Sequence, residues 1–156
     1  MKVTTVYSGA TGEVILSKSR FEKLFSPDEA NHLIPRLEII MRDLQLMANF
    51  VRTRINELAA EDPDLLNHSL PEIVELHPDL DAPSTRMAQA VEQIEELGCF
   101  LKDIDQGLVD FPFDNGEEVV FLCWQFGEQS VIAWHPVEGG FEGRRPLPGA
   151  PKPWLN

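Results

Sequence analysis

The stretch from residue 99 to 145 gathers the reactive side chains of this 156-residue chain: Asp103, Asp105, Asp110, Cys123, Glu128, His135 and Arg144. Carboxylates beside an imidazole are the donor set of a borderline or hard divalent metal. Asp103 and Asp105 are two apart, so an extended segment puts them on one face. Glu128 lies in a Gly127-Glu128 turn and His135 on the strand returning from it, so the two converge if the sheet folds over that face. Asp103, Asp110, Glu128 and His135 are therefore the candidate ligands of a divalent metal, which would lower the pKa of a bound water for hydrolysis. Arg144 is the candidate for bidentate capture of a carboxylate or phosphate on a small-molecule ligand.

Each residue also has a plainer reading. Aspartates near glycines form turns, which describes Asp105, Asp114 and Asp110. Glu128 can be a solvated turn residue, His135 can cap its strand before Pro136, and Arg144 can pair with a nearby acid. No His-Glu-x-x-His or comparable short ligand motif is present. Cys123 could act as a nucleophile with His135 as its base. A two-residue Gly127-Glu128 turn, however, pairs His135 with Val120 and Cys123 with Ile132. That places Cys123 and His135 on opposite faces unless a bulge shifts the register. A cysteine inside an apolar run is usually a packing residue. Trp124 and Trp134 line a pocket or fill a core, and sheet aromatics more often do the latter. His32, His68 and His77 fall in a helix and in a proline-rich insert, away from this set.

These residues need a scaffold, and the pattern of apolar residues predicts an α+β fold. Ser26-Pro27-Asp28-Glu29 is a capping box with proline at the first helical position. Apolar residues follow at Leu33, Leu37, Ile40, Leu44, Met47, Val51, Ile55 and Leu58, a coiled-coil-like seam. The spacing predicts one helix from about Pro27 to Ala60, kinked where Pro35 removes the bond to the Asn31 carbonyl. Four prolines then break the pattern over residues 61–83, where Pro63-Asp64-Leu65 is echoed by Pro78-Asp79-Leu80 as two helix starts. A short helical turn is expected around Glu72 to Leu76. A second helix, Ser84 to Leu97, carries Met87, Val91, Ile94 and Leu97 on one face and stops at Gly98. The two helices form an antiparallel hairpin.

Strand signals follow at 100–104, 108–113, 118–125 and 131–136, with Asp114-Asn115-Gly116 as a turn. The run Val119-Val120-Phe121-Leu122-Cys123-Trp124 is apolar on both faces, as a central strand is. The expected architecture is a long kinked helical hairpin on a small three- to four-stranded antiparallel sheet. It forms a single domain over 1–156, with an N-terminal hairpin or arm at 1–20, the helical hairpin with its insert over 26–97, the sheet over 98–142 and an irregular tail over 143–156.

The net charge of -13, from 26 acidic and 13 basic residues, argues against nucleic acid and against an anionic membrane surface. Two cysteines make no disulfide framework, and neither a signal-peptide core nor a spanning segment is visible. A reducing cytoplasm is the expected location.

The C-terminal half carries an ordered set of short motifs: Gly98-Cys-Phe-Leu-Lys-Asp103, Gly107-Leu-Val-Asp-Phe-Pro112, Leu122-Cys-Trp124, Gly127-Glu128, Trp134-His135 and Gly140-Phe-Glu-Gly-Arg144. The long helix opens with Ala30-Asn31, Leu33 and Pro35-Arg36. Over about residues 25–148 this resembles the bacterial family known as domain of unknown function 2203. Residues 1–20 and 61–83 look peculiar to this chain. The resemblance implies no activity, substrate or cofactor, so no role passes to any residue through it. Two functions are therefore expected. One is a non-catalytic interaction or assembly protein, homodimeric because the first helix is far longer than the second can cover. The other is a small metal-dependent hydrolase or small-molecule-binding protein using the Asp/Glu/His cluster.

Overall fold

The computed structural model describes residues 21–148. The hairpin expected within residues 2–20 and the last part of the tail, 149–156, lie outside the described residues. Helix α1 spans Pro27–Glu61 and continues through Pro35. Its capping box is closed: Ser26 Oγ accepts from the Glu29 amide at 3.1 Å, and the Ser26 amide donates to Glu29 Oε1 at 2.9 Å. Its buried stripe is Ile34, Leu37, Ile40, Met41, Leu44, Ala48 and Val51, wider than the predicted seam because adjacent positions also face the sheet.

The insert is more ordered than its prolines suggest. A 3₁₀ helix (Pro63–Asn67) leads to α2 (Leu70–Leu76), and a second 3₁₀ turn (Pro78–Leu80) leads into α3 (Asp81–Glu96). Ser69 and Glu72 close a second capping box. The two Pro-Asp-Leu segments both open 3₁₀ turns, from caps at φ -134°, ψ 85° (Asp62) and φ -131°, ψ 82° (His77). Helix α3 begins before the predicted Ser84, since Pro83 falls in the first turn, where a missing N–H costs nothing. It ends at Gly98, whose φ of 95° is available to glycine. The ion pairs Asp43–Arg86 and Arg54–Asp79 take α1 in rising order and the α3 side in falling order, so the hairpin is antiparallel.

Among the described residues the sheet has five strands, not three or four, in the order β1-β2-β3-β4-β5, all antiparallel: Phe100–Asp103, Leu108–Asp114, Val119–Gln125, Ala133–His135 and Arg145–Pro146. The extra strand lies in the segment expected as irregular tail. Arg145 and Pro146 pair with Trp134 and Ala133, and proline is tolerated there because β5 is an edge. Strand β3 is central and buried along its length. Val109, Phe111, Leu122 and Trp124 face the helices and join Ile34, Leu37, Met41, Leu44 and Ile94 in the main core. The opposite face carries Leu108, Asp110, Phe121, Cys123 and His135. It is partly covered by Phe21, Leu24 and Val137, which pack with Phe100, Val119 and Phe121. No helix among the described residues is long and apolar enough to cross a membrane.

Candidate functional site

Three neighbouring strands bring Asp110, Cys123 and His135 together on the face away from the helices. Asp110 on β2 is the direct cross-strand partner of Cys123 on β3. Cys123 pairs with Ala133 on β4, and His135 stands two residues further along, on the same face. The register differs from the expected one. His135 opposes Phe121, not Val120, and Cys123 opposes Ala133, not Ile132. The connection between β3 and β4 is no two-residue turn. It occupies residues 126–132 and is held at both ends: the Phe126 amide donates to Gly107 O at 2.8 Å, and the Val131 amide donates to Asn31 Oδ1 at 2.7 Å. One residue of register turns every side chain of β4 over, so Cys123 and His135 share a face.

Asp110 and His135 are the buried polar residues among those described, each 2 % exposed. His135 Nε2 lies 3.0 Å from Asp110 Oδ2, and His135 Nδ1 donates to the Pro136 carbonyl at 2.7 Å. Burial pulls the imidazole pKa down, but the Asp110 hydrogen bond and charge and the Pro136 carbonyl together leave it raised. Asp110 Oδ1 has no hydrogen-bond partner among the described residues. The Cys123 thiol feels that carboxylate but makes no hydrogen bond of good geometry to Oδ1. Burial first, and the Asp110 charge second, push the thiol up to about 12. A thiol held so firmly protonated is a poor nucleophile at neutral pH. Cys99 is likewise pushed up to about 12 by burial, and its Sγ donates to Ile94 O. Donor atoms of Asp110, Cys123 and His135 all lie within 4.8 Å of one another. They line a cavity of about 100 Å³ with Lys102, Leu108, Val137 and Phe141. A larger open groove of about 630 Å³, beside Val51, Arg52, Ile55 and Met87, contains none of these three residues.

The other predicted residues add no donor atom to this trio. Asp103 closes the β1–β2 turn, its Oδ1 accepting from the Gln106 amide at 2.9 Å. Asp105 forms an exposed ion pair with Arg52 at 2.7 Å. Glu128 and Arg144 hold each other: Arg144 Nη2 is 3.0 Å from both Glu128 oxygens and 3.3 Å from the Cys123 carbonyl. Glu128 Oε1 also accepts from the Gln125 amide, and its carbonyl accepts from Trp124 Nε1. That pair ties the β3–β4 connection to the segment before β5. Trp124 is fully buried in the core, and Trp134 lies under the Arg145 guanidinium at 5.1 Å. His32 and His68 contact helix carbonyls four residues back.

Cys123 is the member that sequence reasoning set apart from His135. Asp110 stood among the candidates by residue type; the further signal that could have singled it out is a carboxylate within an otherwise apolar strand, Leu108-Val109-Asp110-Phe111. The face of Cys123 depended on a connection whose length the turn residues did not reveal. No curated protein and no solved structure matches the chain. A family model does match, over residues 23–147, which takes in the helical hairpin, the insert and all five strands. The chain therefore belongs to the family of uncharacterized conserved proteins designated DUF2203.

Proposed function

We infer that the protein binds a divalent metal ion between Asp110 and His135, on the cavity side of the sheet. The observation that carries this is Asp110 itself, a carboxylate 2 % exposed whose Oδ1 has no hydrogen-bond partner among the described residues. Such an atom is costly to bury unless something bonds to it. His135 is set up to serve beside it. Its Nδ1–H is committed to the Pro136 carbonyl, which leaves Nε2 to point at Asp110, the second-shell arrangement of a metal-ligating histidine. A cation would replace the proton that now links Nε2 to Oδ2. The cavity leaves room beside it for water, so the reaction class such a centre supports is hydrolysis by a metal-activated water.

Elemental analysis of the tag-free chain, purified without chelator and then offered zinc, tests this. About one equivalent of metal is expected, lost in folded Asp110→Asn and His135→Ala variants. No metal above background, or metal retained in both variants, would leave Asp110–His135 as a structural ion pair and end the reading.

A second reading is assembly. Ile39, Leu46 and Phe50 are 67 %, 62 % and 50 % exposed and recur along α1 at intervals of seven and four, so they form one apolar stripe. This supports a homodimer formed through α1. Both readings go with a cytoplasmic protein, supported by two free cysteines, Cys99 and Cys123.

A further inference from the structure

We propose that Cys123 is the third ligand of this centre, as a thiolate, and that the resident ion is zinc or a cation of the same borderline class. This rests on the metal-binding reading above and narrows it to one chemistry. Strand register is the first argument. Asp110 and Cys123 are direct cross-strand partners, and His135 is diagonal to Cys123 across the β3–β4 pair, so three adjacent strands aim three donors at one point. Distance is the second. Donors around a tetrahedral zinc lie about 3.3–3.6 Å apart, given bonds of about 2.0–2.3 Å. Asp110 Oδ2 and His135 Nε2 are already 3.0 Å apart, and no pair among the three donors exceeds 4.8 Å. Side-chain adjustments of about 1 Å complete the set. The same cavity is lined by all three side chains.

The donor set then selects the ion. Magnesium and calcium take oxygen ligands and would leave the sulfur unused. One thiolate, one imidazole and one carboxylate suit zinc, with a fourth position open to water. The thiol proton passes to solvent buffer as the sulfur–metal bond forms, and a directly bonded cation outweighs the burial and the Asp110 charge that hold this thiol protonated. Of the remaining cavity residues, Lys102 is a cation and Leu108, Val137, Gly140 and Phe141 offer no side-chain donor. Three protein ligands and an open position describe a catalytic zinc site, not a closed structural one.

Cobalt(II) titration of the chelator-treated full chain reads the sulfur directly. One equivalent should bring up a near-ultraviolet sulfur-to-cobalt charge-transfer band together with the intense visible bands of four-coordinate cobalt. Cys99→Ser should keep the near-ultraviolet band. Cys123→Ser should lose it and weaken zinc binding by more than the roughly 10–100-fold that loss of an outer-shell partner costs. Stoichiometric cobalt without that band, displaced by Asp110→Asn but not by Cys123→Ser, would overturn the thiolate ligand and leave the Asp110–His135 metal site standing. No bound cobalt or zinc at all would overturn both.

Discussion

At the scale of single residues, the Asp110–His135 pair should leave a thermodynamic mark in the metal-free protein. Both ring nitrogens of a protonated His135 have acceptors, Pro136 O and Asp110 Oδ2. Burial and the Lys102 charge oppose that proton, but Asp110 and the carbonyl prevail and raise the folded pKa. A raised folded pKa adds stability that is fully present below the unfolded value of about 6.5 and is lost as pH rises through the folded value. Urea unfolding of chelator-treated protein should therefore give a higher free energy below about pH 6.5 than well above it. His135→Gln should flatten that slope, and an unchanged slope would show that another group sets it. Asp110→Ala strands the buried imidazole and should cost about 3 kcal/mol or more. The chemistry of this pair was half legible beforehand. Asp110 and His135 stand out by their types, whereas Asp103, Glu128 and Arg144, equally plausible by type, are held in a turn and in an ion pair of their own. Residue type states what a side chain can do, but only neighbours state what it is already doing.

At the scale of elements, the β1–β2 turn and the β3–β4 connection set the register that makes the site. Gly107 joins them, its carbonyl accepting from the Phe126 amide. It has a φ of 70°, and a Cβ there would meet Phe126 Cβ at 2.5 Å. Gly107→Ala should therefore destabilise the fold by about 2–3 kcal/mol in denaturant unfolding. It should also weaken any metal binding, because a shift of the connection moves β4. A neutral Gly107→Ala would show that this contact does not hold the β3–β4 connection in place. Ser69→Ala, which opens the α2 capping box, should cost about 1 kcal/mol by the same measurement. The start of α1 was readable because its cap is local, Ser26 satisfying an amide three residues on; Ser69 caps α2 in the same way, ahead of the turn expected from Glu72. The length of the β3–β4 connection was not readable, because Asn31, about a hundred residues away in sequence, anchors one end of it.

At the scale of the whole molecule, the insert changes what the long helix implies. Leu65, Ile73 and Leu80 pack with Val51, Ile55 and Leu58, so the C-terminal half of α1 is covered from within the chain. The length of the seam therefore no longer requires a second copy, and assembly rests on the stripe of Ile39, Leu46 and Phe50. Light scattering at micromolar concentration should give a dimer, reduced to a monomer by Ile39→Glu with Leu46→Glu at unchanged thermal stability. A monomeric parent would dispose of the assembly reading.

The sequence by itself determined the α+β order, the capped long helix, the second helix and its glycine stop, and the central apolar strand. Each follows from interactions within a turn or two of the chain or from a period of apolar residues, so local sequence suffices. Tertiary structure alone decided the fifth strand, the folding of the insert onto α1 and the meeting of Asp110, Cys123 and His135. Those depend on which strand pairs with which, and in what register. A shift of one residue there would have kept every secondary-structure element and dispersed the site.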